Sequence, residues 1–340
     1  PAAPSRYFCV MHYSLASLFP MNIPTTRLGL RPRPFIWVLL LGCILAYPLA
    51  PAVSSPSGDK RDYILVINTY AESTPWSRGI ITDITARVEQ IENLELYTEH
   101  INLLLVDSPR EIETFETNLL REYGKKPPRA LVLIGTPTAL LRNFINSIWK
   151  GIPTIVCAEQ DFVGPDKYYQ KRLPIPASEQ VPLRTLADRD NLTLLYSPAY
   201  LDQSIDLMKR ILPGMDRLIF IDDARYVNRQ TEHDLAELLD SKYGGIKYTV
   251  YSADEIGIDQ LLDSLSTVDV KRTGVLFSSW HYLKNMSGRN EIMTNPFKII
   301  ASSSVPLFSL RPTGLKSSGM IGGYVYDENE YSDRLIATVN

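Results

Sequence analysis

Residues 62–80 read DYILVINTYAESTPWSRGI, and how this stretch is read decides the fold. Tyr63 to Ile67 form an unbroken apolar run, the pattern of a strand buried on both faces. The run ends at Asn68-Thr69. After Pro75 and Trp76 the spacing changes, and Ile80, Ile81, Ile84, Val88 and Ile91 recur at helical intervals. A strand hands over to a helix through a short turn, and a large indole sits in that turn. In open α/β sheets, turns at the carboxyl ends of strands are where ligands bind. Trp76 either packs over the sheet edge or holds a ligand.

The same alternation continues along the chain. LELYTEHINLLL reads as a strand. SPREIETFETNLLREYG reads as a helix, with Ser108 at the N-cap, Pro109 at the first helical position and Gly124 at the end. RALVLIG and IPTIVCA are strands around the helix TPTALLRNFINSIWKG. Residues 160–190 are rich in Pro and charge and hold neither period, so they read as a long loop or inter-lobe excursion. Beyond them NLTLLYS, RLIFIDD, IKYTVYS, TGVLFSS, VPLFSL and GMIGGYVYD read as strands. PAYLDQSIDLMKRILPG, RYVNRQTEHDLAELLDSKYGG, DEIGIDQLLDSLSTV, NEIMTNPFKIIASSS and ENEYSDRLIATVN read as helices. Strand–helix alternation with short turns means parallel sheets covered by helices. The expected fold class is α/β: two doubly wound parallel-sheet lobes with a hinge, cut short at the C-terminus. Lobe 1 is expected over 62–185, lobe 2 over 190–312, and a return segment towards lobe 1 over 313–340.

Composition narrows the function. The 340 residues are 45% hydrophobic and 21% charged, a globular balance. Residues 1–52 hold Arg6, Arg27, Arg31 and Arg33 and no acid, so they carry +4 of a net −3 and leave −7 on the rest. A mildly acidic body argues against a nucleic-acid partner, which needs clustered Lys and Arg. The segment 1–52 reads as a leader. Arginines follow Met21, then comes the apolar FIWVLLLGCILAYPLA, then Ala50-Pro51-Ala52, in the order of a secretory signal. The run is shorter than the roughly 20 residues of a membrane span. A cleaved signal, an uncleaved anchor and a lipid-modified Cys43 remain alternatives, with Met21 as the expected initiator. The protein is expected to be periplasmic or extracytoplasmic, attached to the inner membrane in its full-length form. Of the three cysteines only Cys157 lies in the body, inside a buried-strand pattern, so it reads as a small core residue.

No phosphate-loop, dinucleotide-binding, zinc-protease, paired CxxC or GxSxG motif occurs. The four histidines show no metal-ligand spacing. The expectation is no cofactor, no metal and no catalytic residue. What stands out are aromatic and polar residues at strand ends: Tyr70 and Trp76 after the first strand, Thr136 after LVLIG, and Glu159 after IPTIVCA. Asp222 and Asp223 with Arg225 and Tyr226 follow RLIFI, Ser278 to His281 follow GVLF, and Arg311 follows VPLFSL. Two facing lobes would turn these ends towards one cleft, where rings stack flat ligands and a few polar groups orient them. The candidate ligand contacts are Tyr70, Trp76, Thr136, Glu159, Asp223, Trp280 and Arg311. Each has a plainer reading as a packing residue, a cap or a solvated charge.

Three stretches carry a family resemblance: YILVINTYAESTPWSRGI, then NLTLLYSPAYLDQSIDLMKRILPGMDRLIFIDD, then VPLFSL followed by GMIGGYVYD. Across residues 62–338 the chain resembles the type I periplasmic-binding-protein fold, in the branch of ABC-transporter substrate-binding proteins of the tryptophan/tyrosine-binding sort. Within that branch the first two stretches are most similar to extracytoplasmic sensor domains of membrane histidine kinases, hybrid two-component sensors included. The resemblance implies a small-molecule ligand (amino acid, nucleobase or sugar-like) held between lobes, a membrane attachment and a possible homodimer. The kinase machinery itself has no counterpart in these residues. The rival readings are a free or lipid-anchored substrate-binding protein and an exported α/β enzyme.

Overall fold

A strand that is apolar on both faces needs a helical layer on each, and the chain supplies both. The computed structural model describes residues 61–340 except 104, 105, 107, 285–289, 293–298, 300, 301, 316–318 and 340, so the leader expected over 1–52 lies outside the described residues. Strand β1 (Asp62–Asn68) is flanked by β2 (Leu94–His100) and β3 (Ala130–Ile134), followed by β4 (Thr154–Ala158) and β7 (Leu192–Tyr196). All four pairings are parallel, in the order β2-β1-β3-β4-β7. Alternate residues of β1 serve opposite cores. Ile64 and Val66 join Ile80, Ile84 and Val88 of α1 (Pro75–Val88). Tyr63, Leu65 and Ile67 join Ile112 and Leu119 of α2 (Pro109–Tyr123) and Ile145 of α3 (Arg142–Ile148). Helix α2 starts as its sequence demands, with the Ser108 amide donating to the Glu111 carboxylate at 3.0 Å.

The second sheet repeats the plan. Strands β8 (Arg217–Asp222), β9 (Lys247–Ser252), β10 (Thr273–Phe277), β13 (Leu307–Ser309) and β14 (Met320–Gly322) run parallel in the order β14-β13-β10-β8-β9. Leu218 and Phe220 pack with α6 (Leu201–Ile211) and α7 (Tyr226–Lys242), while Ile219 and Ile221 pack with α8 (Ile258–Ser266). In both sheets the first strand lies between the second and third. The order therefore reverses at β1/β3 and again at β8/β10, the crevices where open sheets take ligands.

Residues 192–196, expected to open the second lobe, instead pair with β4 and complete the first sheet. Leu195 is buried there among Ile155 and Cys157. The segment 160–190 is thus an insertion before the last strand of lobe 1, not a linker. It folds into β5 (Phe162–Val163), α4 (Asp166–Lys171), β6 (Val181–Pro182) and α5 (Arg184–Asp190), with β5 and β6 antiparallel. Residues 320–322, expected in the return segment, form β14 of the second sheet. The return itself is α10 (Glu328–Val339), which packs on lobe 1 through Tyr331 and Leu335, with the Ser332 hydroxyl donating to Asp83 at 2.6 Å. Helix α9 (Pro312–Leu315) lies between β13 and β14. Residues 290–292, read in the sequence as the start of a helix, form β12 (Asn290–Ile292) in a hairpin with β11 (Tyr282–Lys284); residues 293–298 lie outside the described residues. Cys157 is a buried free thiol in β4, and burial pushes its pKa up to about 12. Among the described residues no helix is long and apolar enough to cross a membrane.

Candidate functional site

The loops at the carboxyl ends of the two sheets meet around a cleft. On the lobe 1 side it is lined by Tyr70, Thr74, Trp76, Glu159 and Ser197. On the lobe 2 side it is lined by Arg225, Asn228, Ser278, Ser279, His281 and Arg311, with Tyr326 in the returning crossover. The cavity measures ≈ 60 Å³, room for a few waters. A second space of ≈ 40 Å³ lies inside lobe 1 around Trp149, Leu183 and Leu186 and is mostly apolar, so it reads as packing space.

The lobe 1 wall is built around Glu159. β4 ends at Ala158, so Glu159 emerges beside the turn that follows β3. One carboxylate oxygen accepts from the Thr136 amide at 3.0 Å and from the Thr136 hydroxyl at 3.1 Å; the other accepts from the Tyr70 hydroxyl. The Thr136 hydroxyl in turn accepts from the amides of Glu159 and Gln160, each at 3.2 Å. Burial, and next the adjacent Glu159 charge, raise the Tyr70 pKa well above the usual phenol range. Tyr70 therefore stays a neutral donor. Its ring meets Trp76 edge-on at 5.8 Å. Burying a carboxylate is costly unless its oxygens are bonded, and here three donors from neutral groups satisfy it.

The lobe 2 wall is built around Asp223, which has no exposed surface. One oxygen accepts from Arg225 Nε at 2.8 Å, the Asn228 amide at 2.7 Å and the Arg225 backbone at 3.2 Å. The other accepts from the Ser279 hydroxyl at 3.0 Å and the His281 backbone at 2.8 Å. Burial alone would raise the Asp223 pKa, but the Arg225 charge and these donors outweigh it and hold the pKa below the usual value. Arg225 also stands over the Tyr70 ring, 5.9 Å from its centre, and so touches both walls.

Of the seven residues read from the sequence, the structure brings Tyr70, Trp76, Glu159 and Arg311 into the cleft lining. Thr136 stands behind Glu159, and its backbone N–H is taken by that carboxylate. Asp223 stands behind the lining, its oxygens occupied by its own lobe. Trp280 is turned away. It is fully buried in the core of lobe 2 with Ile221, Phe277 and Leu307, and its indole N–H has no partner among the described residues. Trp280→Ala should cost about 3–5 kcal/mol of stability in denaturant unfolding; a loss under ~1 kcal/mol would return the ring to the cleft. Ser197, Asn228 and Tyr326 were not selected from the sequence. Ser197 follows β7 in the position that should have flagged it. Asn228 lies within a helix and Tyr326 in an aperiodic crossover, where no strand-end rule applies. Among the described residues no three His, Cys, Asp or Glu stand close enough to share a metal ion.

Neither a protein-family model nor a curated protein matches the sequence. Solved structures do. A conserved domain protein from Vibrio cholerae O1 biovar El Tor superposes with a TM-score of 0.51 at 15% identity, over 82% of this chain and 83% of that one. An ABC domain from Streptococcus pneumonia in complex with L-Trp gives 0.49 at 14% identity, over 81% and 82%. A carbohydrate transporter solute binding protein from Agrobacterium radiobacter in complex with D-arabinose gives 0.49 at 13% identity, over 82% and 88%. The architecture is a type I periplasmic-binding-protein-like α/β fold, with parallel sheets flanked by helices.

Proposed function

We propose that this chain binds a small molecule between its lobes and reports it by a change in lobe angle, as the extracytoplasmic input domain of a sensor histidine kinase. The observation that carries the binding reading is Arg311. Its side chain lines the cleft half-buried, and among the described residues no carboxylate lies within 4.0 Å of it. A guanidinium removed from water without a partner favours an anionic group on the ligand. Trp76 and Tyr326 beside it offer ring surface, and the serines and Asn228 offer orientation. The proposed ligand thus carries a flat part and a carboxylate or similar anion. Tyr70, Trp76, Glu159 and Arg311 contact it; Thr136 and Asp223 hold those contacts in place. The kinase context is supported by the sequence resemblance of residues 63–80 and 191–223. An ABC-transporter substrate-binding protein shares the same cleft and fold. Reading the gene beyond residue 340 separates the two: a membrane span with kinase motifs supports the sensor, and a nearby stop codon removes it.

A thermal-shift screen of amino acids, nucleobases, organic acids and sugars tests the binding itself, because a ligand that prefers the fold raises its melting temperature. Arg311→Ala and Trp76→Ala should each weaken the selected ligand by about tenfold or more, measured by titration calorimetry. Arg311→Ala should leave the ligand-free melting temperature within about 2 °C, whereas Trp76→Ala, whose ring packs on the core of lobe 1, should lower it by several degrees. Unchanged affinity in both variants would overturn the assignment.

A further inference from the structure

The insertion at 160–183 belongs to lobe 1 but grips lobe 2. Tyr226 is the first residue of α7 in lobe 2, yet it is buried in the hydrophobic core of lobe 1. Its ring meets Tyr169 of α4 at 4.7 Å. One turn along α7, the Gln230 side-chain oxygen accepts from the Ile175 backbone N–H at 2.8 Å, and neither residue has exposed surface. The amide cannot turn over freely. Its nitrogen donates to Asp234 at 2.8 Å, so the oxygen must face the insertion.

The gripping segment is itself stiff. Gln180 donates to the Ile175 carbonyl at 2.9 Å, the Tyr168 hydroxyl donates to Glu179, and the Gly164 amide donates to the Tyr169 hydroxyl at 3.1 Å. Ile175 packs so tightly on Gly164 that a Cβ there would come within 2.8 Å of it. A rigid strap bonded to α7 is more than a loop lying nearby.

We infer that residues 160–183 form a latch that holds the lobes together when no ligand is bound. The cleft then has room for only a few waters, so a ligand enters when the latch releases. The latch therefore sets how often the site is open, and the apparent affinity falls with the competent fraction. This device needs no particular ligand and stands apart from the assignment of Arg311.

Pulsed electron–electron resonance on the ligand-free protein tests it, with spin labels at Arg78→Cys in lobe 1 and Glu255→Cys in lobe 2. Both positions are exposed, the native Cys157 is fully buried, and Cys9 and Cys43 are replaced by Ser in every sample. The otherwise wild-type protein should give one narrow distance population. Tyr226→Ala and Gln230→Ala should each move most of that population to distances longer by several ångström. Tyr226→Phe, which keeps the ring on Tyr169, should leave it in place. Should Tyr226→Ala fail to fold, Gln230→Ala decides alone, since it removes the amide that bonds Ile175 and Asp234 but takes no ring from the core. A wild-type distribution already as long and broad as that of Gln230→Ala would overturn the latch. So would a Gln230→Ala distribution that keeps the short distance. A failed ligand screen would bear on the previous proposal and leave this result standing.

Discussion

Gly135→Ala is expected to lower the stability of the ligand-free protein by roughly 3–5 kcal/mol, with a lower urea midpoint and an unchanged slope. Gly135 follows the last residue of β3 and begins the turn that carries Thr136. Its φ of +97° lies where L-residues with a side chain are rare. Strain of that kind costs about 1–3 kcal/mol by itself. The added methyl would also lie 2.1 Å from the Thr69 hydroxyl and 2.9 Å from the Tyr70 ring. Thr69 cannot swing aside cheaply, because its hydroxyl donates to the Ile134 carbonyl at 2.9 Å. Tyr70 would have to leave Glu159, and relieving such overpacking costs about 1–3 kcal/mol more. The same substitution should therefore abolish ligand binding in whatever fraction stays folded. A loss below ~1 kcal/mol would show that the turn has room the geometry denies.

The sheets were legible because their strands are apolar on both faces. A run such as Tyr63–Ile67 admits few placements other than the middle of a parallel sheet. The cleft was legible for a related reason: strand ends are readable from periodicity, and the fold aims strand ends at one place. That rule delivered Tyr70, Glu159 and Arg311, and it delivered Trp76 at the helix start. Direction within a loop was not readable. Ser278, Ser279 and His281 face the cleft while Trp280 between them turns into the core, and no period governs a loop. Partnership at long range was hidden as well. Asp223 looks like a free acid in the sequence, but two of its donors lie 56 and 58 residues away. The lobe boundary failed similarly. Nothing local in NLTLLYS says that it pairs with Thr154–Ala158 across an insertion rather than opening a new sheet. The latch was invisible for both reasons, since 160–183 has no period and its contacts lie some fifty residues away.

Asp222→Asn is expected to make the protein more stable, and more so as the pH rises. Asp222 ends β8 with no exposed surface, and neither carboxyl oxygen has a hydrogen-bond partner among the described residues. The nearby Ser252 hydroxyl instead donates to Asp254 at 2.6 Å, and Arg229 spends its guanidinium on Asp254 and Glu232. Burial therefore dominates and pushes the Asp222 pKa up from 3.8 to about 8, with Ser252 and Arg229 pulling it only partly back. The sign follows from where the proton sits. Between the unfolded value of 3.8 and the folded value of about 8, the folded protein keeps the Asp222 proton while the unfolded chain gives it up. Each added pH unit in that window thus favours unfolding by about 1.4 kcal/mol. The loss is complete above the folded pKa. Asp223 and Asp254, whose pKa values are lowered, act in the opposite sense: their stabilisation is present above the unfolded value and fades as the pH falls through the folded one. Replacement of Asp222 by Asn removes the first slope and leaves the second. The amide keeps the shape but is itself a buried polar group, at a cost of roughly 1–3 kcal/mol. The expected net gain is about 2 kcal/mol at pH 7, larger at pH 8 and absent near pH 4. Urea unfolding of both proteins at pH 4, 6 and 8 measures it. Parallel pH profiles for the two proteins would show that Asp222 is ionised in the fold, with a partner the geometry does not contain.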